Sequence, residues 1–162
     1  MTPHDHYASV KRVEGEAMVR DLEVRPYEES DEEFVASLWS VVFPDPAPRN
    51  VPRFVIAKKL EVQRELFFVA SLNGTVVGTA MGGFDGHRGW LYTVAVHPEL
   101  QRRGIGRALV QRVEASLLAL GCPKVNLQVR TSNAAVVAFY QRLGYAVEER
   151  ISMGRSLPIA ES

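Results

Sequence analysis

Apolar and polar positions change period several times along the chain, and each change marks an element. From Val19 to Arg25 the stretch "VRDLEVR" alternates with the two-residue period of a strand. Ser30 then offers an N-cap with Glu33 three residues on, a capping box that predicts a helix running to about Phe43. The proline-rich "FPDPAPRN" breaks it, and a second helical stretch is expected around residues 51 to 63. Two apolar runs, "ELFFVASL" and "TVVGTAMGG", flank Asn73-Gly74, the dipeptide suited to a type I′ turn, and predict a β-hairpin. After the glycine-rich "GFDGHRG", the run "WLYTVAVHP" reads as a third sheet strand stopped by Pro98.

The period then changes to that of a helix. Ile105, Leu109, Val113, Leu117 and Leu120 share one face, Gln111, Arg112 and Glu114 the other, and Gly121 ends the run after about four turns. "KVNLQVR" returns to strand, with Val125, Leu127 and Val129 on one face. Asn133 can cap a last helix that carries Val136, Phe139, Tyr140 and Leu143 on one side and stops at Gly144. "YAVEERISMGRSL" closes the chain as another strand. The order βααβββαβαβ predicts an α+β fold: a mixed central sheet of about six to seven strands with helices on both faces.

Length and charge narrow the picture. At 162 residues the chain suits one domain, expected over residues 19–162. Residues 1–18 are polar and without periodicity and read as a flexible leader, with Met18 as a plausible internal start. Lysines and arginines number 19, as do the acidic residues, so no global field recruits nucleic acid or an anionic membrane. No run has the length of a membrane span and the start has no apolar signal core, so a cytoplasmic protein is expected. Cys122 is the only cysteine; it leaves no internal disulfide and no multi-cysteine metal site, and no metal is expected.

One stretch carries chemistry. "VHPELQRRGIGRALV" runs from the end of a strand into a helix, where the first backbone N–H groups lack intrahelical partners and the macrodipole is positive. Gly104 and Gly106 let an anion's oxygens approach the backbone, and Arg102, Arg103 and Arg107 add positive charge. The expected ligand is a phosphate or pyrophosphate. A dinucleotide-binding fingerprint needs a small residue three positions after the second glycine, and Leu109 stands there. A P-loop needs Gly-Lys-Ser/Thr, and Gly106 is followed by Arg107-Ala108. An NADP-dependent enzyme, with Arg130 on the 2′-phosphate, is disfavoured by the same Leu109.

"QRRGIGRAL" resembles the signature of the GNAT superfamily of acyl-CoA-dependent N-acetyltransferases, Gln/Arg-x-x-Gly-x-Gly/Ala at the start of the central helix, with Gln101, Gly104 and Gly106 in the motif positions. "NAAVVAFYQRLGY" matches the family's terminal Asn…Tyr…Leu-Gly-Tyr/Phe stretch, and the resemblance spans residues 20 to 156 or so. "VVGTAMGGFDGHRG" and "GCPKVNLQV" are also similar to a bacterial branch of YpeA-like acetyltransferases, and "RTSNAA" to the ribosomal-protein alanine acetyltransferases. The resemblance implies a GNAT-like fold and acetyl-CoA as cosubstrate, with an amine as acceptor attacking the thioester directly. It assigns the acetyl and pantetheine arm to the backbone of Val94, Ala95 and Val96. The pyrophosphate falls to Gln101, Arg102, Arg103, Gly104, Ile105, Gly106 and Arg107. Asn133 would contact the cofactor arm, and Tyr140 would both contact it and protonate the departing thiolate as general acid. Relatives commonly dimerise through sheet edges or terminal strands, so a homodimer is an expected assembly.

The chain departs from the family at the general base. Trp90 and Gln128 stand where relatives place glutamates. Without a base the acceptor's own pKa matters: deprotonating a lysine amine at pH 7 costs roughly 4.6 kcal/mol, an α-amine only about 1.4 kcal/mol, so either an acceptor of low pKa or a proton relay through water is expected. His87, with Asp85 two residues before it, is the alternative base candidate. Tyr27, Glu28 and Glu29, after the first strand, are read as solvated. The competing functional class is a non-catalytic acyl-CoA-binding module, suggested by the absent carboxylates; release of free CoA in the presence of amines separates the two.

Overall fold

Asn73 and Gly74 take φ of 50° and 78°, the paired positive values of the expected type I′ turn, and join two antiparallel strands. The computed structural model describes residues 21–158. Its elements are β1 (Leu22–Pro26), α1 (Glu32–Val42), α2 (Pro52–Glu61), β2 (Phe67–Leu72), β3 (Thr75–Phe84), β4 (Gly89–Val96), α3 (Ile105–Ala119), β5 (Val125–Asn126) and α4 (Ala134–Arg142). The predicted leader and the first two residues of the strand expected at Val19 lie outside the described residues. The chain divides after Leu127 into two compact units.

In the first unit, five strands form one sheet in sequence order. β1 to β4 pair antiparallel, whereas β5 joins β4 in parallel over two residue pairs, Gly89 with Val125 and Trp90 with Asn126. β2 is buried at every position because helices cover both faces. On one face Val35, Leu38 and Trp39 of α1 and Ile56 of α2 pack with Phe67, Val69, Val76, Met81 and Ala95. On the other lies α3, whose approach requires residues without a Cβ. A Cβ on Gly78 would sit 2.9 Å from Leu109 Cδ1, and one on Gly82 2.7 Å from Val113 Cγ1. The glycines of "GTAMGG" thus bring the helix down onto the sheet.

Three expectations are corrected here. The capping box at Ser30 and Glu33 does not form: the first helix starts at Glu32, after a 3-10 turn at Glu29–Asp31. The cause is Arg25, which holds Asp31 through two hydrogen bonds of 2.7 and 2.8 Å while the Glu28 N–H donates to the same carboxylate at 2.9 Å. Tyr27 is not solvated. It is buried and stacked on Phe67 with ring centroids 4.4 Å apart, while Glu29 pairs with Arg64 at 2.7 Å.

The third correction concerns strand number, five among the described residues against an expected six to seven. "KVNLQVR" contributes only Val125–Asn126 to the ladder, and "YAVEERISMGRSL" forms no strand among the described residues. Alternation serves a strand only when one face is buried. Val147, Ile151, Met153 and Leu157 are instead 75–92% exposed. In this second unit α4 forms as expected: the Asn133 side chain accepts from the Val136 N–H at 3.3 Å, and the helix ends at Gly144 with φ 97°.

A cation is buried between α2 and the sheet. Lys59 donates to the Gly82 carbonyl at 2.7 Å and lies 5.7 Å from the centroid of the Tyr92 ring. Burial pushes its ammonium down to about 8, while nearby Glu65 pulls the other way. Because the folded pKa lies below the unfolded one, the unfolded chain binds more protons between them, and stability rises with pH from about 8 to about 10.5. Unfolding free energy should therefore increase by about 1–2 kcal/mol from pH 8 to pH 9.5. Chemical denaturation across that range should show the rise in the wild type and a flat profile in Lys59→Met.

Candidate functional site

β4 departs from regular pairing where the resemblance places the acyl chain. Thr79 faces Ala95 and Met81 faces Tyr92, so Thr93 and Val94 together oppose the single residue Ala80: a β-bulge. Thr93 takes φ of 51°, in the left-handed region that a β-branched residue rarely enters. Val94 has no partner in the β3 register, while Ala95 and Val96 pair with Thr79 and Gly78. The other edge of β4 is open too. β5 pairs no further than Trp90, so from Leu91 to Val96 that edge offers backbone groups that no described strand uses.

Beyond β4 the chain makes one 3-10 turn, Pro98–Leu100, and enters the loop Gln101–Gly104 before α3. Arg102 and Gly104 take φ of 63° and 81°, which curls the loop into the kind of backbone that forms anion-binding concavities. A Cβ on Gly104 would meet nothing within 4 Å, so the space beside that peptide is open. The first helical bond of α3 runs from the Ala108 N–H to the Gly104 carbonyl at 3.0 Å. Helix geometry leaves the N–H groups of Ile105, Gly106 and Arg107 ahead of it without intrahelical acceptors. Gln101, Arg102, Arg103 and Arg107 are exposed, and Ile105 is buried and anchors the helix start. Positive side chains, a helix N-terminus and an open approach fit a diphosphate.

Asn133 and Tyr140 belong to the second unit. The Asn133 side chain caps α4. Tyr140 is buried, with edge contacts to Phe139 and Tyr145 at 5.0 and 5.5 Å, and burial pushes its phenol up to about 12. Gln128 donates to the Ser152 hydroxyl at 2.6 Å.

His87 sits in an exposed turn. The Asp85 carboxylate accepts from the His87 and Arg88 N–H groups at 2.7 and 2.6 Å, and these bonds hold it below the usual carboxylate range. The Arg88 guanidinium lies 3.4 Å from His87 Nδ1. Trp90 and Tyr92 stand partly exposed on the β4 face that looks toward α2, and the Tyr92 hydroxyl donates to the Gly82 carbonyl at 3.2 Å.

Two groups have no counterpart in the sequence reading. One is Lys59, hidden because a lysine near a helix end normally reads as solvated. The other is the buried pair Trp39 and Thr79, joined by a 2.8 Å hydrogen bond that reaches the bulge through the Thr93 carbonyl. Its only sequence trace is a threonine inside the otherwise small and apolar run "GTAMGG".

Residues 18–145 match the model of the acetyltransferase (GNAT) family. The chain is 43% identical over 136 residues to an acetyltransferase of Yersinia pestis, covering 84% of this chain and 96% of that one. An acetyltransferase of Pectobacterium atrosepticum matches to the same extent. Among solved structures, the Escherichia coli ribosomal-protein-S18-alanine N-acetyltransferase superposes with TM-score 0.65 at 28% identity, covering 76% of each chain. An aminoglycoside N-acetyltransferase in complex with CoA shares the fold, with TM-score 0.70 at 20% identity over 83% of this chain and 94% of that one. The chain belongs to the GNAT family of acetyltransferases.

Proposed function

We propose that the chain transfers the acetyl group of acetyl-CoA to a primary amine of low pKa, an α-amine or a comparably weak small-molecule base, by direct attack. The observation that carries the reading is the run from the β4 bulge to the helix start. Within it, the bulged peptide between Thr93 and Val94 lies a few residues before a curled, arginine-rich loop at the N-terminus of α3. In this reading Gln101 to Arg107 hold the diphosphate and the edge of β4 from Val94 to Val96 aligns the pantetheine arm. The resemblance assigns Asn133 to that arm as well. The glycine-rich stretch supports membership of the YpeA-like branch.

The amine nitrogen attacks the carbonyl carbon, a C–N bond forms, and negative charge develops on the carbonyl oxygen. A backbone N–H at Val94 is the proposed donor to it; a preorganised donor of this kind is typically the largest electrostatic contribution to acyl transfer. As the C–S bond breaks, sulfur gains the charge. Tyr140 gives a hydrogen bond to it, and the proton that ends on the thiol is replaced as the nitrogen sheds its own. Burial keeps Tyr140 protonated at every working pH, which suits a donor. Trp90 and Gln128 stand where the resemblance would place glutamates, and His87 stands beside a guanidinium in an exposed turn. The nitrogen therefore loses its first proton to water, which is why an acceptor of low pKa is favoured. The aromatic face of Trp90 and Tyr92 is the proposed acceptor wall.

Acetyl-CoA binding with Kd about 10 μM would contribute roughly 2.7 kcal/mol at millimolar concentration. That corresponds to a rise in melting temperature of about 5–10 °C, absent with NADPH. Gly104→Val should roughly halve the rise, because a β-branched residue resists the left-handed backbone that shapes the loop. No rise with acetyl-CoA would overturn the assignment of the loop.

Tyr140→Phe should lower kcat about 100-fold while leaving acetyl-CoA binding within a few-fold, as measured by CoA release with an α-amine acceptor. His87→Ala should leave kcat/KM within a few-fold. A loss with His87→Ala that follows an imidazole titration would return the base to that residue.

A further inference from the structure

Thr93 holds a backbone conformation that its own side chain disfavours, and the core supplies the restraint. Thr79 is fully buried on β3 and Trp39 is 2% exposed on α1. The Trp39 indole N–H donates to the Thr79 hydroxyl at 2.8 Å, and that hydroxyl donates to the Thr93 carbonyl at 3.3 Å. An indole can only donate. By occupying a lone pair of Thr79 it leaves the hydroxyl proton free for a single described acceptor, the carbonyl of the bulge.

That carbonyl shares a rigid plane with the next N–H. In a trans peptide the C=O and the following N–H point in opposite directions, and rotation within the plane is blocked; all described peptides are trans. Fixing the Thr93 oxygen toward Thr79 on β3 therefore aims the Val94 N–H away from β3, toward the open edge of β4. We propose that Trp39 and Thr79 are positioning residues: their hydrogen bonds fix the Thr93–Val94 peptide and so orient the Val94 N–H that meets the thioester oxygen. This inference rests on the function proposed above. Neither side chain touches substrate, so neither is a catalytic residue.

Three variants test it. Thr79→Ser keeps the hydroxyl, Thr79→Val replaces it with a methyl of similar size, and Thr79→Val combined with Trp39→Phe also removes the indole N–H that would otherwise be orphaned. Nitrogen–proton correlation spectra of the ligand-free protein read the peptide directly. The Thr93 to Ala95 resonances should move or broaden in both valine variants and stay put in Thr79→Ser, while those of β1 stay unchanged in all three. Unmoved resonances in Thr79→Val would overturn the proposal whether or not the protein acetylates amines.

Turnover adds the second readout. kcat should fall on the order of 10-fold or more in both valine variants, with KM for acetyl-CoA within about three-fold, and Thr79→Ser should retain wild-type kcat. Recovery of kcat when Trp39→Phe is added to Thr79→Val would overturn the proposal, because the loss would then come from the stranded indole. A wild-type protein that releases no CoA with any amine would instead refute the functional reading, and the spectra would still decide the orientation of the peptide.

Discussion

The position of the loop Gln101–Gly104 depends on how closely α3 lies on the sheet, and two residues without a Cβ set that distance. At Gly78 and Gly82 a methyl group would fall within 3 Å of Leu109 and Val113. Overpacking of that kind typically costs 1–3 kcal/mol, so the helix would have to lift or the sheet bend. Either movement displaces Ile105, and with it the N–H groups that face the loop. The site's electrostatics thus rest on a packing decision made on the neighbouring strand, β3.

A second layer of order lies on the opposite face. Trp39, Thr79 and Lys59 are polar groups in an apolar interior, each anchored to the backbone of β3 or β4 or to another member of the set. Burial makes an unpaired donor costly, so such groups select one arrangement where an all-apolar core would tolerate several. The two faces divide the work. Close apolar packing places α3, and directional hydrogen bonds shape β4.

Most of the fold was legible because its signals are local. The hairpin at Asn73-Gly74, the α3 helix ending at Gly121 and the Asn133 cap each follow from a few adjacent residues. The start of α1 was misread because Arg25, six residues from Asp31, overrides the capping preference of Ser30. The closing strand was misread because alternation in "YAVEERISMGRSL" says nothing about whether a partner edge exists. At the candidate site, the glycine- and arginine-rich loop shows in its composition, whereas the bulge does not. Thr93 and Val94 suit either face of a strand, so a one-residue slip leaves no mark in the pattern. Tyr27 illustrates the same limit: beside Glu28 and Glu29 it reads as surface, and only stacking on Phe67, forty residues on, makes it core.

Tight contact between strand and helix has one more effect, at the far end of α3. Cys122 is buried, gives its S–H to the Lys124 carbonyl at 3.3 Å, and lies where a Cβ on Gly89 would be 2.6 Å from its sulfur. A buried sulfur held in this way presents little surface to an oxidant or a second thiol. The protein's single cysteine fills space between strand and helix, and its oxidation would press on the contact that seats the end of α3 against β4.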